Sequence, residues 1–272
     1  MIIDGHAHAC GVYKTGESIL SYLDEHKIDK VILCAGEPGS SKNYNYPMLS
    51  NIFKNERLAY VFNRLISIVV KISGAAKYID EENEYIYRLS EKNPQRIINS
   101  YWADPSDARV IEKLRENYSR YNYKLIKMHQ CWNQFDMRDE KVREIIKWSV
   151  IKRKPIFIHL MSYRQVIEFI ETANEYKDAV FIVAHMIGFE HISRMCQNEN
   201  IYYDLSAPQL YSIDLLKKAL NTVGSEKIIL GSDCPYGIDN IEINIERLKK
   251  LSISPQDMKN ILSENIIRVL NI

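Results

Sequence analysis

Short runs of consecutive apolar residues alternate along this chain with longer stretches whose apolar residues recur every three or four positions. Unbroken apolar runs mark strands buried on both faces of a parallel sheet, and the periodic stretches mark amphipathic helices. The first run, Ile2 and Ile3, leads directly into Asp4-Gly5-His6-Ala7-His8. Further strands are predicted over 29–35, 96–102, 123–129, 155–160, 179–185, 201–206 and 227–233. Helices are predicted between them over 17–26, 81–92, 105–118, 139–152, 163–175, 189–196 and 213–222, and after the last strand over 241–250 and 255–270. Eight apolar strands separated by helices is the count of a (β/α)8 TIM barrel, closed by right-handed crossovers.

One stretch breaks the rhythm. Residues 37–78 hold a loop (Pro38, Gly39, Ser40, Ser41) and then a helical pattern over about 47–72. This is too long for an ordinary βα connection. It is read as a helical insertion after strand two, forming either a lid or substrate-side wall on the catalytic face, or a dimerisation helix pair. Exposed apolar surface on it would favour a homodimer.

A length of 272 residues slightly exceeds the usual barrel size of about 250. No Pro/Gly/Ser-rich linker divides the chain, so a single domain over 1–272 is expected. The net charge of +1 gives no reason to expect nucleic acid or an anionic membrane as partner. The opening apolar run is too short for a signal peptide, and 58–72, the most apolar internal stretch, is too short to span a bilayer. Five scattered cysteines without a CxxC argue against a disulfide framework and for a reducing, cytoplasmic setting.

The chemistry lies in the polar residues that end the strands. Strand one ends in His6 and His8, strand four in Lys127 and His129, strand five in His159, strand six in His185 and strand eight in Asp233. Five of the seven histidines thus fall at ends that a barrel gathers onto one face. Positions i and i+2 of a strand share a side, so His6 and His8 can reach one ion. Imidazole with carboxylate suits Zn²⁺ and similar cations.

These strand ends, with the strings Asp4-Gly5-His6-Ala7-His8, Leu125-Ile126-Lys127-Met128-His129, Gly231-Ser232-Asp233-Cys234-Pro235 and Asn260-Ile261-Leu262-Ser263-Glu264-Asn265, resemble the amidohydrolase superfamily. The similarity is to its amidohydrolase-related branch, which holds hydrolases and aminocarboxymuconate semialdehyde decarboxylases. The resemblance implies that His6, His8, His159 and Asp233 bind a divalent metal. Zinc is the first expectation, with Mn, Fe or Co able to occupy the same site, as one or two ions. It implies Asp233 and His185 as catalytic residues, with Asp233 moving a proton and His185 polarising a carbonyl or holding a second metal. Lys127 is implied either as a carboxylated bridge between two metals or as a substrate-binding ammonium, and His129 as a contact to a substrate oxygen or a strand cap.

The expected activity is hydrolysis of a C–N or C–O bond in a small molecule by metal-activated water. Non-oxidative decarboxylation of an aromatic or unsaturated acid uses the same ligand set. A TatD-type nuclease is disfavoured by Lys127, where such enzymes carry a carboxylate, and by the near-neutral charge. A non-catalytic metal-binding barrel is disfavoured by the intact ligand set. Trp102, Trp132 and Tyr236 follow strand ends and suit a pocket lining, Glu37 lies within reach of it without an evident partner, and His26 and His191 read as surface residues.

Overall fold

A computed structural model describes residues 1–51 and 57–272. Eight parallel strands follow one another in sequence order around a barrel. They are β1 (Ile3–His8), β2 (Lys30–Cys34), β3 (Ile97–Trp102), β4 (Leu125–His129), β5 (Ile156–His159), β6 (Phe181–Val183), β7 (Ile201–Asp204) and β8 (Ile228–Ile229). The main helices are α1 (Gly16–Glu25), α2 (Arg57–Ser73), α3 (Ile79–Lys92), α4 (Val110–Tyr121), α5 (Glu140–Lys152), α6 (Tyr163–Glu175), α7 (Phe189–Met195), α8 (Ile213–Val223) and α9 (Asn240–Lys250). This is the (β/α)8 barrel expected from the apolar runs, with α2 as the helical insertion after β2. The segment 52–56 of the predicted insertion helix lies outside the described residues. Among the described residues no single helix is long and apolar enough to cross a membrane.

Two layers of apolar packing fix which side chains look inward. Ile3, Ile32, Ile98, Leu125, Phe157, Ile182, Tyr202 and Ile229, one from each strand, form the barrel interior, floored by Ile266 and Leu270 from the C-terminal helix. Val31, Ile126, Ile156, Phe181 and Ile228 belong to the outer layer, beneath the helices. Side chains alternate along a strand, so Leu125 facing inward carries Lys127 and His129 inward, and Phe157 carries His159. β1 departs from simple alternation. Its pairing with β2 shifts register between Asp4 and Ala7, and past the shift Ala7 packs outward. His6 and His8 therefore face the interior as Ile3 does. A bulge beside a functional site re-aims side chains in this way.

β8 is shorter than its apolar run. Beyond Ile229 the chain leaves its ladder with β7 and stitches to β1: Gly5 N–H donates to Leu230 O (2.9 Å), Asp233 N–H to His6 O (2.8 Å) and His8 N–H to Cys234 O (2.8 Å). The buried Asp4 carboxylate accepts from Ser232 N–H (2.8 Å) and Ser232 Oγ–H (2.6 Å). β6 also stops early, at Val183, because His185 N–H donates to the Asp204 carboxylate at the end of β7 (3.1 Å) and the backbone turns. The helix expected from 105 begins only at Val110, since Asp104 and Asp107 hold the preceding residues in turns by accepting from Ser106 N–H and Arg109 N–H. The last predicted helix is divided into Pro255–Lys259, a wider turn Asn260–Glu264, and Asn265–Leu270.

The closing seam leaves no room for a side chain at Gly5, where a Cβ would lie 2.6 Å from Leu230 O. Gly39, by contrast, has positive φ and faces open space. Gly5→Ala, whose Cβ would strike backbone, should therefore cost about 3 kcal/mol by overpacking, and Gly39→Ala about 1–2 kcal/mol from its left-handed backbone alone. Urea unfolding of both variants measures this, and equal losses would contradict the seam.

Candidate metal centre and active site

Every strand-end residue singled out in the sequence reaches the same end of the barrel. Asp233 Oδ1 lies 3.1 Å from His6 Nε2 and 3.4 Å from His8 Nε2. The ligand atoms of His6, His8 and Asp233 all fall within 4.8 Å of one another. His185 Nε2 is 4.0 Å from the other carboxylate oxygen, Oδ2. His159 stands one ring further across. It stacks on His129 at 3.9 Å and meets His185 edge-on at 4.8 Å. It falls outside the tight trio and forms a second close group with His129 and Cys131. Lys127 Nζ, fully buried, sits 3.1 Å from His6 Nε2 and 4.1 Å above the Phe157 ring.

Backbone geometry aims two of these groups. Asp233 and His185 both adopt left-handed backbone conformations, φ 57° and 54°. This costs about 1–2 kcal/mol in a residue with a Cβ, and such outliers concentrate at functional sites. At Asp233 the turn follows from Ser232 and Asp233 both donating to His6 O. It brings the carboxylate against the imidazoles of the neighbouring strand.

Second contacts decide which nitrogen of each imidazole carries its proton. His8 Nδ1 lies 2.5 Å from Ala35 O, which only accepts, so the proton is on Nδ1 and Nε2 presents a lone pair to Asp233. His185 Nδ1 likewise faces Ser206 O at 3.1 Å, leaving Nε2 as the lone pair toward Asp233. For His159 the order is reversed. Asn63 Nδ2 donates to Leu160 O and Met161 O, so Asn63 Oδ1 faces His159 Nε2 at 3.0 Å and accepts from it. His159 Nδ1 is then a buried lone pair with no hydrogen-bond partner. His129 Nδ1 accepts from Cys131 N–H (3.2 Å).

Burial shifts the titration of the whole group. Burial, then the nearby Lys127 charge, holds His6 well below the ordinary imidazole value. Burial and then His185 lower His159, and burial lowers Lys127. For Asp233 burial acts upward, yet the neighbouring imidazoles of His185, His6 and His8 outweigh it and hold the carboxyl well below its usual range. Burial pushes the seam carboxyl, Asp4, up to about 7 against its hydrogen bonds from Ser232, His6 and Tyr13.

These residues fit a divalent cation. Three acceptor atoms, His6 Nε2, His8 Nε2 and Asp233 Oδ1, converge where no proton is available from His8, and His159 Nδ1 is orphaned nearby. Convergent lone pairs around an ionised carboxylate call for a positive charge between them.

The centre opens into a cavity of about 660 Å³. His8, His129, His159, His185 and Asp233 form its floor, with Trp132 and Tyr236 beside them, as the strand-end positions suggested. Trp102 lies behind His129, stacked on it, and donates to Asn133. Glu37 does have partners: its carboxylate accepts from Tyr44 (2.9 Å) and Tyr236 (3.3 Å) on the cavity wall. α2 supplies the opposite wall through Phe62, Ile66 and Val70. His26 and His191 are half-buried rather than fully exposed, with His26 Nδ1 2.6 Å from Glu242.

Three supporting residues escaped the sequence reading. Asp204 ends β7 and was open to the same strand-end rule. Asp4 is a polar residue inside an apolar strand, a signal in itself. Asn63 lies mid-helix in the insertion, and nothing local connects it to His159.

No curated protein sequence matches the chain. Solved structures with the same fold include a 2,6-dihydroxybenzoate decarboxylase from Rhizobium, at 13% identity and TM-score 0.70, covering 99% of this chain and 98% of that one. A probable 2-pyrone-4,6-dicarboxylic acid hydrolase from Acinetobacter baumannii with bound citric acid aligns at 14% identity and TM-score 0.68, over 100% and 99%. A dihydroxybenzoic acid decarboxylase from Polaromonas with bound manganese and 2-nitroresorcinol aligns at 12% identity and TM-score 0.70, over 99% and 96%. At such identities the likeness is one of fold. The sequence itself, over residues 72–272, matches the family model described as amidohydrolase, and the chain belongs to that family.

Proposed function

We propose that residues 1–272 form one catalytic domain, a metal-dependent hydrolase that cleaves a C–N or C–O bond of a small molecule. The observation that carries this reading is the convergence of His6 Nε2, His8 Nε2 and Asp233 Oδ1 on one point at the floor of a cavity. His6, His8 and Asp233 would hold the ion, and His159 Nδ1 would be the fourth donor. Zinc suits imidazole with carboxylate best, and the manganese in the Polaromonas structure makes Mn²⁺ the next candidate. When bound, the cation supplies Lewis acidity and brings the pKa of water to about 7.

The chain's own groups then handle protons and orientation. Asp233 keeps Oδ2 free of the trio, so it accepts a proton there and returns it to the leaving group. His185, fixed through Nδ1–H on Ser206 O, would take a proton from solvent at Nε2 and keep it through the reaction as a hydrogen-bond donor to the developing oxyanion. Lys127 contacts His6 and lies over Phe157. Both contacts support an amine that holds the ligand sphere in place over a carboxylated bridge between two ions. His129, stacked between Trp102 and His159, is a positioning residue.

Decarboxylation is the second reading, favoured by the decarboxylases among the similar structures. Release of CO2 from aromatic acids, against hydrolysis of cyclic amides and lactones, separates the two.

Exhaustive chelation should abolish turnover, and adding back Zn²⁺ or Mn²⁺ should restore it; full activity of the metal-free protein would refute the mechanism. His185→Asn should retain its ion by elemental analysis while losing about 10²–10⁴-fold in kcat.

Asn63→Leu removes the acceptor that sets the His159 tautomer. Metal affinity should fall about 10–100-fold with an unchanged circular dichroism spectrum. An unaltered affinity would exclude His159 from the ligand set.

A further inference from the structure

The cavity is built unevenly. Its floor is polar, but the wall that α2 contributes is apolar from Phe62 to Val70 and ends in Ser73. Phe62, Ile66 and Val70, spaced by four, form the inner part of that wall, and Leu65 and Val69 carry it out to the mouth, where they are 57% and 63% exposed. Leu210 faces them from the loop after β7. The sequence from Arg57 to Ile79 holds no acidic residue.

Charge on the walls argues against an acid group held away from the floor. Among the described residues no arginine lines the cavity, so the bidentate clamp that fixes a carboxylate is missing. Among the described residues Lys42 is the single lysine on the lining, and it is exposed. Glu37, held by Tyr44 and Tyr236, adds a second negative group to that of Asp233. Away from the cation at the floor, an acid group along these walls would meet the Glu37 carboxylate and no arginine among the described residues. At about 660 Å³ the space suits a ligand of drug-like size, larger than a simple aromatic acid fills.

We propose that the substrate is an amide or ester with an uncharged aliphatic acyl chain. The scissile carbonyl sits beside His185 and Asp233, and the chain lies along the α2 wall from Ile66 and Val70 toward Leu65 and Val69. The inference rests on the hydrolase reading of the same site. Water adds to the acyl carbon, the C–N or C–O bond breaks, and the amine or alcohol leaves with the proton passed on by Asp233, so no further reactant is required. Specificity comes from apolar burial, which favours each additional methylene by about three- to fourfold until the wall is covered.

The test has two arms on the metal-loaded, full-length protein. The first measures kcat/KM across acetyl, butanoyl, hexanoyl, octanoyl and dodecanoyl p-nitroanilides and p-nitrophenyl esters. The second measures binding of octanamide and of benzoate by calorimetry, without turnover. The expected result is kcat/KM rising about three- to fourfold per methylene over the short members, with octanamide binding more tightly than benzoate. A Leu65→Glu/Val69→Glu variant, placed on exposed positions that keep the fold intact, should lose about tenfold or more on the octanoyl substrate. An Ile151→Glu control on the exposed side of α5 should leave the series as in wild type. A flat series overturns the proposal while hydrolysis itself stands, and so does tighter binding of benzoate. Octanamide binding without turnover of any substrate upholds the apolar site and rejects the hydrolase reading.

Discussion

The seam between β1 and β8 governs everything at the open end of this barrel. A closed sheet removes the exposed edges that would otherwise pair with other chains, yet here the last strand keeps regular pairing for only two residues. The closure is completed by individual hydrogen bonds around the buried Asp4 carboxylate, which grips Ser232 by both backbone and side chain. Because Ser232 and Asp233 donate to the carbonyl of His6, the carboxylate of β8 is delivered to the two imidazoles of β1. The seam carries real costs: a buried acid, a left-handed aspartate and a glycine with no space for a methyl group. They are concentrated where the chemistry is, as strain in enzymes tends to be.

Proton placement is the second layer. Ala35 O, Ser206 O, Asn63 Oδ1 and Cys131 N–H each take one nitrogen of an imidazole and so determine what the other nitrogen offers. The outcome is a buried pocket rich in lone pairs, with an ionised carboxylate and a lysine amine whose charge burial opposes. Such a set is poorly satisfied by hydrogen bonds among its own members and well satisfied by a cation. The apolar wall of α2 then sets a different requirement for the other end of the ligand.

Much of this was legible in the sequence. Parallel strands buried on both faces read as apolar runs, so the barrel and its eight strand ends could be placed from patterning alone. His6, His8, Lys127, His129, His159, His185 and Asp233 follow from the single rule that strand ends converge. What the pattern could not supply was register. The shift in β1 that turns both histidines inward, and the turns at His185 and Asp233, arise from hydrogen bonds between strands far apart in sequence. Asn63 was hidden for the same reason, since its partner is β5 and its own helix looks like plain amphipathic sequence. Glu37 seemed unpartnered because Tyr44 sits in a loop without periodicity and Tyr236 is far along the chain.

X-ray absorption at the metal edge of the zinc-loaded protein tests the central claim most directly, since two groups at this end compete for the ion. Ligation by His6, His8, Asp233 and His159 predicts a first shell of nitrogen and oxygen with imidazole outer-shell scattering and no sulfur. A sulfur neighbour at about 2.3 Å would move the ion to the group of His129, Cys131 and His159 and contradict the account.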